Sequence, residues 1–313
     1  MMVIKRIRKT VLSFAAALII CISAVPSSFA QELIVGGEAV GIMVNTKGVL
    51  VAGLTEVKTE DGIRKPAEAA GVLPGDVITA INGKQLKKAS QLIETVSELN
   101  GRPAQLKIER DGLTVLLTVQ PMRSVSGQWM MGMWLRDSIS GVGTVTFCDP
   151  ESGIYGALGH SINDAESGAE ISIESGSISA AEIAGVVKGA PGTPGELNGC
   201  ADVGEILGSI DGNTEHGIYG KASAPLGKLT LETGPITTGS ASILCTVNGR
   251  DADEYSIEIN RIYRDAAGEH VMLTVTDPEL IARTGGIVQG MSGSPIIQND
   301  RLVGAVTHVY VRR

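Results

Sequence analysis

Apolar positions come in two textures along this chain. Between residues 32 and 122, short apolar runs mix with helical spacing. Glu38-Ala39-Val40-Gly41-Ile42-Met43-Val44 reads as a small loop running into a strand, and 49–54 as a second strand. Pro66-Ala67-Glu68-Ala69-Ala70-Gly71 reads as a short helix stopped by glycine. Residues 73–84 then give a turn, a strand and an Asn-Gly turn. Leu92, Ile93, Val96 and Leu99 fall at helical spacing, and 105–119 alternates as a closing strand pair. Residues 123–132 are polar and read as a linker. From 133 onward short apolar strands alternate with Gly/Asp/Asn/Ser turns, at 143–147, 154–158, 171–173, 183–187, 242–247, 256–262, 270–275 and 301–311. Such spacing indicates an all-β sandwich or barrel. The expected fold is therefore mainly β: an α+β module over 31–122, a linker over 123–132, and an all-β domain over 133–313.

Composition supports this reading. Forty glycines against two Trp, five Tyr and three Phe call for many tight turns and an aliphatic core. Residues 1–30 stand apart, with a basic start at Lys5, Arg6, Arg8 and Lys9, an apolar run over 11–25, and small residues at Ser28 and Ala30. This is the pattern of a signal peptide or membrane anchor, so the remainder is expected to cross a membrane. Without those four basic residues the formal charge moves from −8 to −12. An acidic body of this kind argues against nucleic acid as a partner. Cys148, Cys200 and Cys245 are odd in number and widely spaced, which fits neither a disulfide framework nor a metal site. No metal or cofactor is called for.

The candidate chemistry lies near the C-terminus. Gly290-Met291-Ser292-Gly293-Ser294-Pro295 puts a serine between glycines that allow backbone conformations a Cβ would resist. A hydroxyl beside convergent N–H donors is what acyl transfer at a serine needs, with Gly290 and Ser292 as the backbone donors. Ser294 is the nearest rival nucleophile. A serine nucleophile needs a base. Among His160, His216, His270 and His308, His160 follows an apolar strand and is hemmed by small residues. The acid is open on pattern alone: Asp277, followed by Pro278, competes with Asp164, Asp211, Asp251, Asp253 and Asp265, and Asp-Pro is also a common helix start.

Resemblance adds to this. The run PAEAAGVLPGDVITAINGK resembles a PDZ domain of the kind attached to exported serine proteases. That implies a groove receiving an extended peptide by β-addition, with Val40, Gly41 and Ile42 as the loop that takes a terminal carboxylate. YGALGHSI, PGTPGELNG and VTDPELIARTGGIVQGMSGSPIIQNDRLVGAVTHVYV, together with the PDZ-like module, resemble the stage IV sporulation protein B (SpoIVB) family of serine peptidases over nearly the whole chain. The resemblance implies a two-barrel, trypsin-like peptidase domain with Ser292 as nucleophile, His160 as base and Asp277 as acid. It further implies a membrane-associated endopeptidase exported from the forespore to the intermembrane space. There it would cut itself and then a regulatory protein of a membrane-embedded signalling complex, releasing an intramembrane protease for sigma-factor processing. Family members continue past THVYV, whereas this sequence stops at Arg313. That difference motivates the alternative expectation, a non-catalytic exported PDZ scaffold with a degenerate peptidase domain.

Overall fold

The computed structural model describes residues 30–163, 168, 170–265 and 268–309. From Glu32 on the described residues form one compact unit. The targeting segment expected over 1–30 lies, but for its last residue, outside the described residues. This unit is mainly β, as the turn-punctuated apolar runs require, and it packs around three principal cores.

The first core belongs to the α+β module. Val49, Ile78, Ile81, Leu106, Ile108 and Val119 point inward from its strands and are essentially inaccessible. The helix Ala89–Glu98 buries Leu92 and Val96, one turn apart, and leaves Ile93 exposed. Its N-terminus is tied down by the Asp137 carboxylate, which accepts from the Ala89 N–H at 3.0 Å, a favourable place for negative charge. The Gly75-Asp76 turn is held by an ion pair between a buried carboxylate and a partly exposed guanidinium. The Asp76 side chain, fully buried, accepts from Arg110 Nε at 2.6 Å and Nη2 at 2.7 Å, and from the Leu73 N–H at 2.8 Å. The stretch read as a linker is part of this module: Trp129–Met130 pairs with Met122–Arg123, and Met131 is buried in the core.

The second core is the inside of a closed barrel. Met133–Cys148 pairs with Ile154–Ala157, which pairs with Gly217–Lys221. That strand reaches Glu196–Ile210 through a Gly208–Ala222 bridge. Glu196–Ile210 pairs with Ile173–Val187, Ile173–Val187 with Ala39–Leu54, and Ala39–Leu54 again with Met133–Cys148. Val40, Val44, Val145, Tyr155, Ile178 and Ile218 fill it. The third core gathers Ile243, Ile257, Ile259, Leu280, Val288 and Met291 between Gly239–Cys245, Asp253–Asp265, Pro295–Gln298 and the helix Pro278–Thr284. Two strands join the first module to the barrel. Ala39–Leu54 and Met133–Cys148 pair antiparallel from Leu54–Met133 in the module to Ala39–Thr144 in the barrel, with residues 46–49 looped out of register between Asn45 and Leu50.

This arrangement corrects one expectation. Val40, Gly41 and Ile42 are not a loop. They are a buried barrel strand whose edges are both taken, by Val142 and Ser179 opposite Gly41 and by their neighbours on either side. A peptide cannot add there while those pairs hold. Gly41 is glycine because Ala201 of a neighbouring strand lies where its Cβ would be.

Candidate active site

The turn carrying Ser292 grows out of the helix Pro278–Thr284, which ends at Gly285 in the left-handed conformation, φ 81°. Gly290 and Gly293 both have φ 96°. A Cβ on Gly293 would collide with the Thr144 carbonyl oxygen and the Leu158 nitrogen, so only glycine fits. Met291 plugs its side chain into the third core with no residual exposure and thereby anchors the turn.

The turn's backbone groups can be followed one by one. The Gln289 carbonyl accepts from the Leu197 N–H at 2.9 Å, and the Gly290 carbonyl from Thr144 Oγ1 at 2.9 Å. Met291 O accepts from the Ser294 N–H at 3.0 Å and from Ser294 Oγ at 2.7 Å. Ser292 O accepts from the Thr144 N–H at 3.0 Å, and Gly293 O from Thr146 Oγ1 at 2.7 Å. The Met291 and Gly293 N–H groups donate to Val288 O and Val306 O. Two donors remain. Among the described residues, no acceptor takes the N–H of Gly290 or of Ser292. Both flank the one partly exposed hydroxyl of the turn.

His160 arrives from the barrel. Leu158 and Gly159, both at φ 69°, turn the chain sharply after the strand Ile154–Ala157. The Leu158 N–H donates to Thr144 O, so one residue, Thr144, ties the histidine segment to the serine turn. The serine and histidine segments then converge on residues 306–308. Ser292 Oγ donates to the Thr307 carbonyl at 3.1 Å, and the His160 ring lies 5.3 Å, centroid to centroid, from that of His308. His160 Nδ1 is 2.8 Å from the Ser161 carbonyl. A carbonyl can only accept, so Nδ1 is the protonated nitrogen of this contact, and in the neutral ring the lone pair lies on Nε2. Partial desolvation by its neighbours lowers the pKa of the exposed His308 imidazole, and the adjacent His160 pushes the same way. A histidine with a lowered folded-state pKa binds protons more readily when unfolded. Stability is therefore expected to fall as pH drops through and below the ordinary histidine range near 6.5. His308→Gln should flatten that slope in urea midpoints measured across pH 5–7; an unchanged slope would assign it to other groups.

The other sites expected from sequence fall as follows. Asp277 caps the helix Pro278–Thr284, its Oδ1 accepting from the Glu279 and Leu280 N–H groups at 2.9 and 3.0 Å. No hydrogen bond or ion pair joins it to His160, and among the described residues its Oδ2 has no partner. Ser294 is fully buried, with its hydroxyl spent on Met291 O. Cys245, whose thiol burial pushes up to about 12, keeps its proton beside it. The three cysteines beyond the N-terminal segment are free thiols, Cys148 and Cys245 buried and Cys200 exposed. Sequence reasoning missed Thr144, Thr146 and Ser161, whose contributions are hydrogen bonds to residues far along the chain or backbone groups. A serine hydroxyl, an imidazole with its lone pair on Nε2 and two unspent N–H donors at the seam of two cores are the parts of a serine hydrolase site.

Comparison with known proteins gives the family. Residues 127–313 match SpoIVB peptidase S55, and residues 40–120 match a PDZ domain. The chain belongs to the SpoIVB peptidase S55 family. Among curated proteins it is similar to the zinc metalloprotease RasP of Geobacillus kaustophilus (strain HTA426), 31% identical over 101 residues that cover 25% of this chain and 24% of that one. It is also similar to a protein named as a zinc metalloprotease of Pasteurella multocida (strain Pm70), 35% identical over 71 residues, covering 23% and 15%. The chain thus spans about a quarter or less of the length of these relatives. This likeness concerns the PDZ domain.

Proposed function

We propose that this chain hydrolyses peptide bonds at Ser292, with His160 as general base. The observation that carries this reading is the pair of unspent N–H groups, Gly290 and Ser292, beside the Ser292 hydroxyl where the histidine segment meets the turn. In this reading Ser292 Oγ leaves Thr307 O and reaches the imidazole. Nε2 then takes the hydroxyl proton as Oγ attacks the scissile carbonyl, the two N–H groups receive the oxyanion, and the imidazolium returns the proton to the leaving amine. A neutral His308 adds no positive charge opposing that imidazolium.

The acid role of Asp277 rests on the family resemblance and on its uncommitted Oδ2. Asparagine caps a helix about as well as aspartate, so Asp277→Asn removes the charge and keeps the cap. A fall in kcat of at least about a hundredfold at unchanged Tm is expected, since an amide cannot stabilise the imidazolium. Activity near wild type would leave Asp277 as a helix cap alone.

By the same resemblance, the protein acts after export from the forespore. It cleaves itself and then a regulatory protein in a membrane-embedded complex, which frees an intramembrane protease for sigma-factor processing. The test of the core reading is a serine-directed fluorophosphonate. Labelling at Ser292, lost in His160→Ala, supports it. A blank on the folded protein overturns it in favour of a non-catalytic PDZ scaffold.

A further inference from the structure

We propose that Ser294 and Thr144 are positioning residues for the oxyanion donors, Ser294 aiming the Ser292 N–H and Thr144 holding the turn about Gly290 in place, an inference that rests on the peptidase reading above. In a trans peptide the C=O and N–H point in opposite directions, so fixing one aims the other. The Ser292 N–H shares its peptide plane with Met291 O. That oxygen is drawn toward the protein interior by both the N–H and the hydroxyl of Ser294, a residue with no exposure. The Ser292 N–H is thereby turned outward, toward its own hydroxyl's surroundings.

Gly290 needs the same help for a different reason. Its N–H shares a peptide plane with Gln289 O, and glycine's free φ and ψ let the planes on either side of it turn easily. Leu197 fixes the preceding plane, and with it the direction of the N–H, through Gln289 O, and Thr144 Oγ1 holds the following plane through Gly290 O, so that the glycine cannot turn within the loop. Thr144 is 1% exposed, and its backbone also holds Ser292 O and the Leu158 N–H of the histidine segment. Thr146 Oγ1, on Gly293 O, supports the far side of the turn. None of these hydroxyls touches a substrate; each acts through a peptide plane. Ser294, a rival nucleophile by sequence, thus serves the nucleophile beside it.

The test uses the full chain and a fluorophosphonate whose P=O occupies the oxyanion position, with kinact and KI measured separately for wild type, Thr144→Val, Thr144→Ser and Ser294→Ala. Thr144→Val keeps the branched shape and removes the hydroxyl. Loss of a whole donor costs about a hundred- to a thousandfold. Misaiming one is expected to lower kinact by about ten- to a hundredfold, with KI changed less than about threefold. Thr144→Ser, which restores the hydroxyl, should return kinact to within about threefold of wild type. Ser294→Ala carries the test by itself if Thr144→Val fails to fold. Wild-type kinact in Thr144→Val or Ser294→Ala would overturn the proposal, as would Thr144→Ser being as slow as Thr144→Val. A rise in KI at constant kinact would do the same. An unlabelled wild type would overturn the peptidase reading as well, which separates the two failures.

Discussion

Ser292→Ala is expected to lower kcat for hydrolysis of an unstructured protein such as β-casein by about a million-fold, the loss typical of a triad nucleophile. The size of the effect follows from the turn. Ser294 cannot substitute, because it is fully buried and bonded to Met291 O. What survives is the catalysis that substrate binding and the two N–H donors give to attack by water, roughly a thousand- to ten-thousandfold over the uncatalysed rate. Stability should scarcely change. Among the described residues Ser292 Oγ makes one hydrogen bond, to Thr307 O, and such a bond contributes about 0.5–1.5 kcal/mol. An unchanged kcat in the alanine variant would place the chemistry elsewhere.

Arg110→Met is expected to destabilise the first module by about 3–5 kcal/mol, because it leaves the buried Asp76 carboxylate without its counter-charge. Against a domain stability of about 5–15 kcal/mol, that is a large share. Asp76 would keep only the Leu73 N–H, and Gly71 O would lose its bond from Arg110 Nη2. The Gly71–Asp76 turn that precedes Val77–Ile81 would loosen first. Urea denaturation followed by the fluorescence of Trp129, which packs against this core, reports the change. Adding Asp76→Asn should restore part of the loss, since a neutral buried acceptor costs less than an unpaired charge. A shift below about 1 kcal/mol in the single variant would show that the carboxylate is solvated by other means.

Much of this architecture could be read from the chain because its determinants are local. The helix Ala89–Glu98 follows from apolar spacing, the turn at Gly75 from Pro-Gly-Asp, and the nucleophile turn from glycines that a Cβ would exclude. Where the sequence misled, the cause was distant. Gly41 reads as a loop glycine until Ala201 is seen to occupy its Cβ position. Val40 and Ile42 then alternate as barrel residues, paired on both sides. The polar stretch before residue 133 reads as a linker because nothing in it announces that Trp129 and Met131 pack back onto the module. Thr144 and Thr146 look like any strand threonines. Only their register beside Ser292 and Gly293, almost 150 positions away, gives them a task. Asp277 illustrates a local rule at work: an aspartate before proline caps a helix, and here it does.

Whether an alcohol in this fold becomes an attacking group depends on one imidazole and two amide hydrogens meeting at one point. A crystal structure of the fluorophosphonate adduct tests that most directly. The account predicts phosphorus bonded to Ser292 Oγ, its oxygen within hydrogen-bond distance of the Gly290 and Ser292 nitrogens, and His160 Nε2 in reach of the Ser292 oxygen. Phosphorus on another residue, or on Ser292 with its oxygen turned away from both nitrogens and the imidazole out of reach, would contradict it.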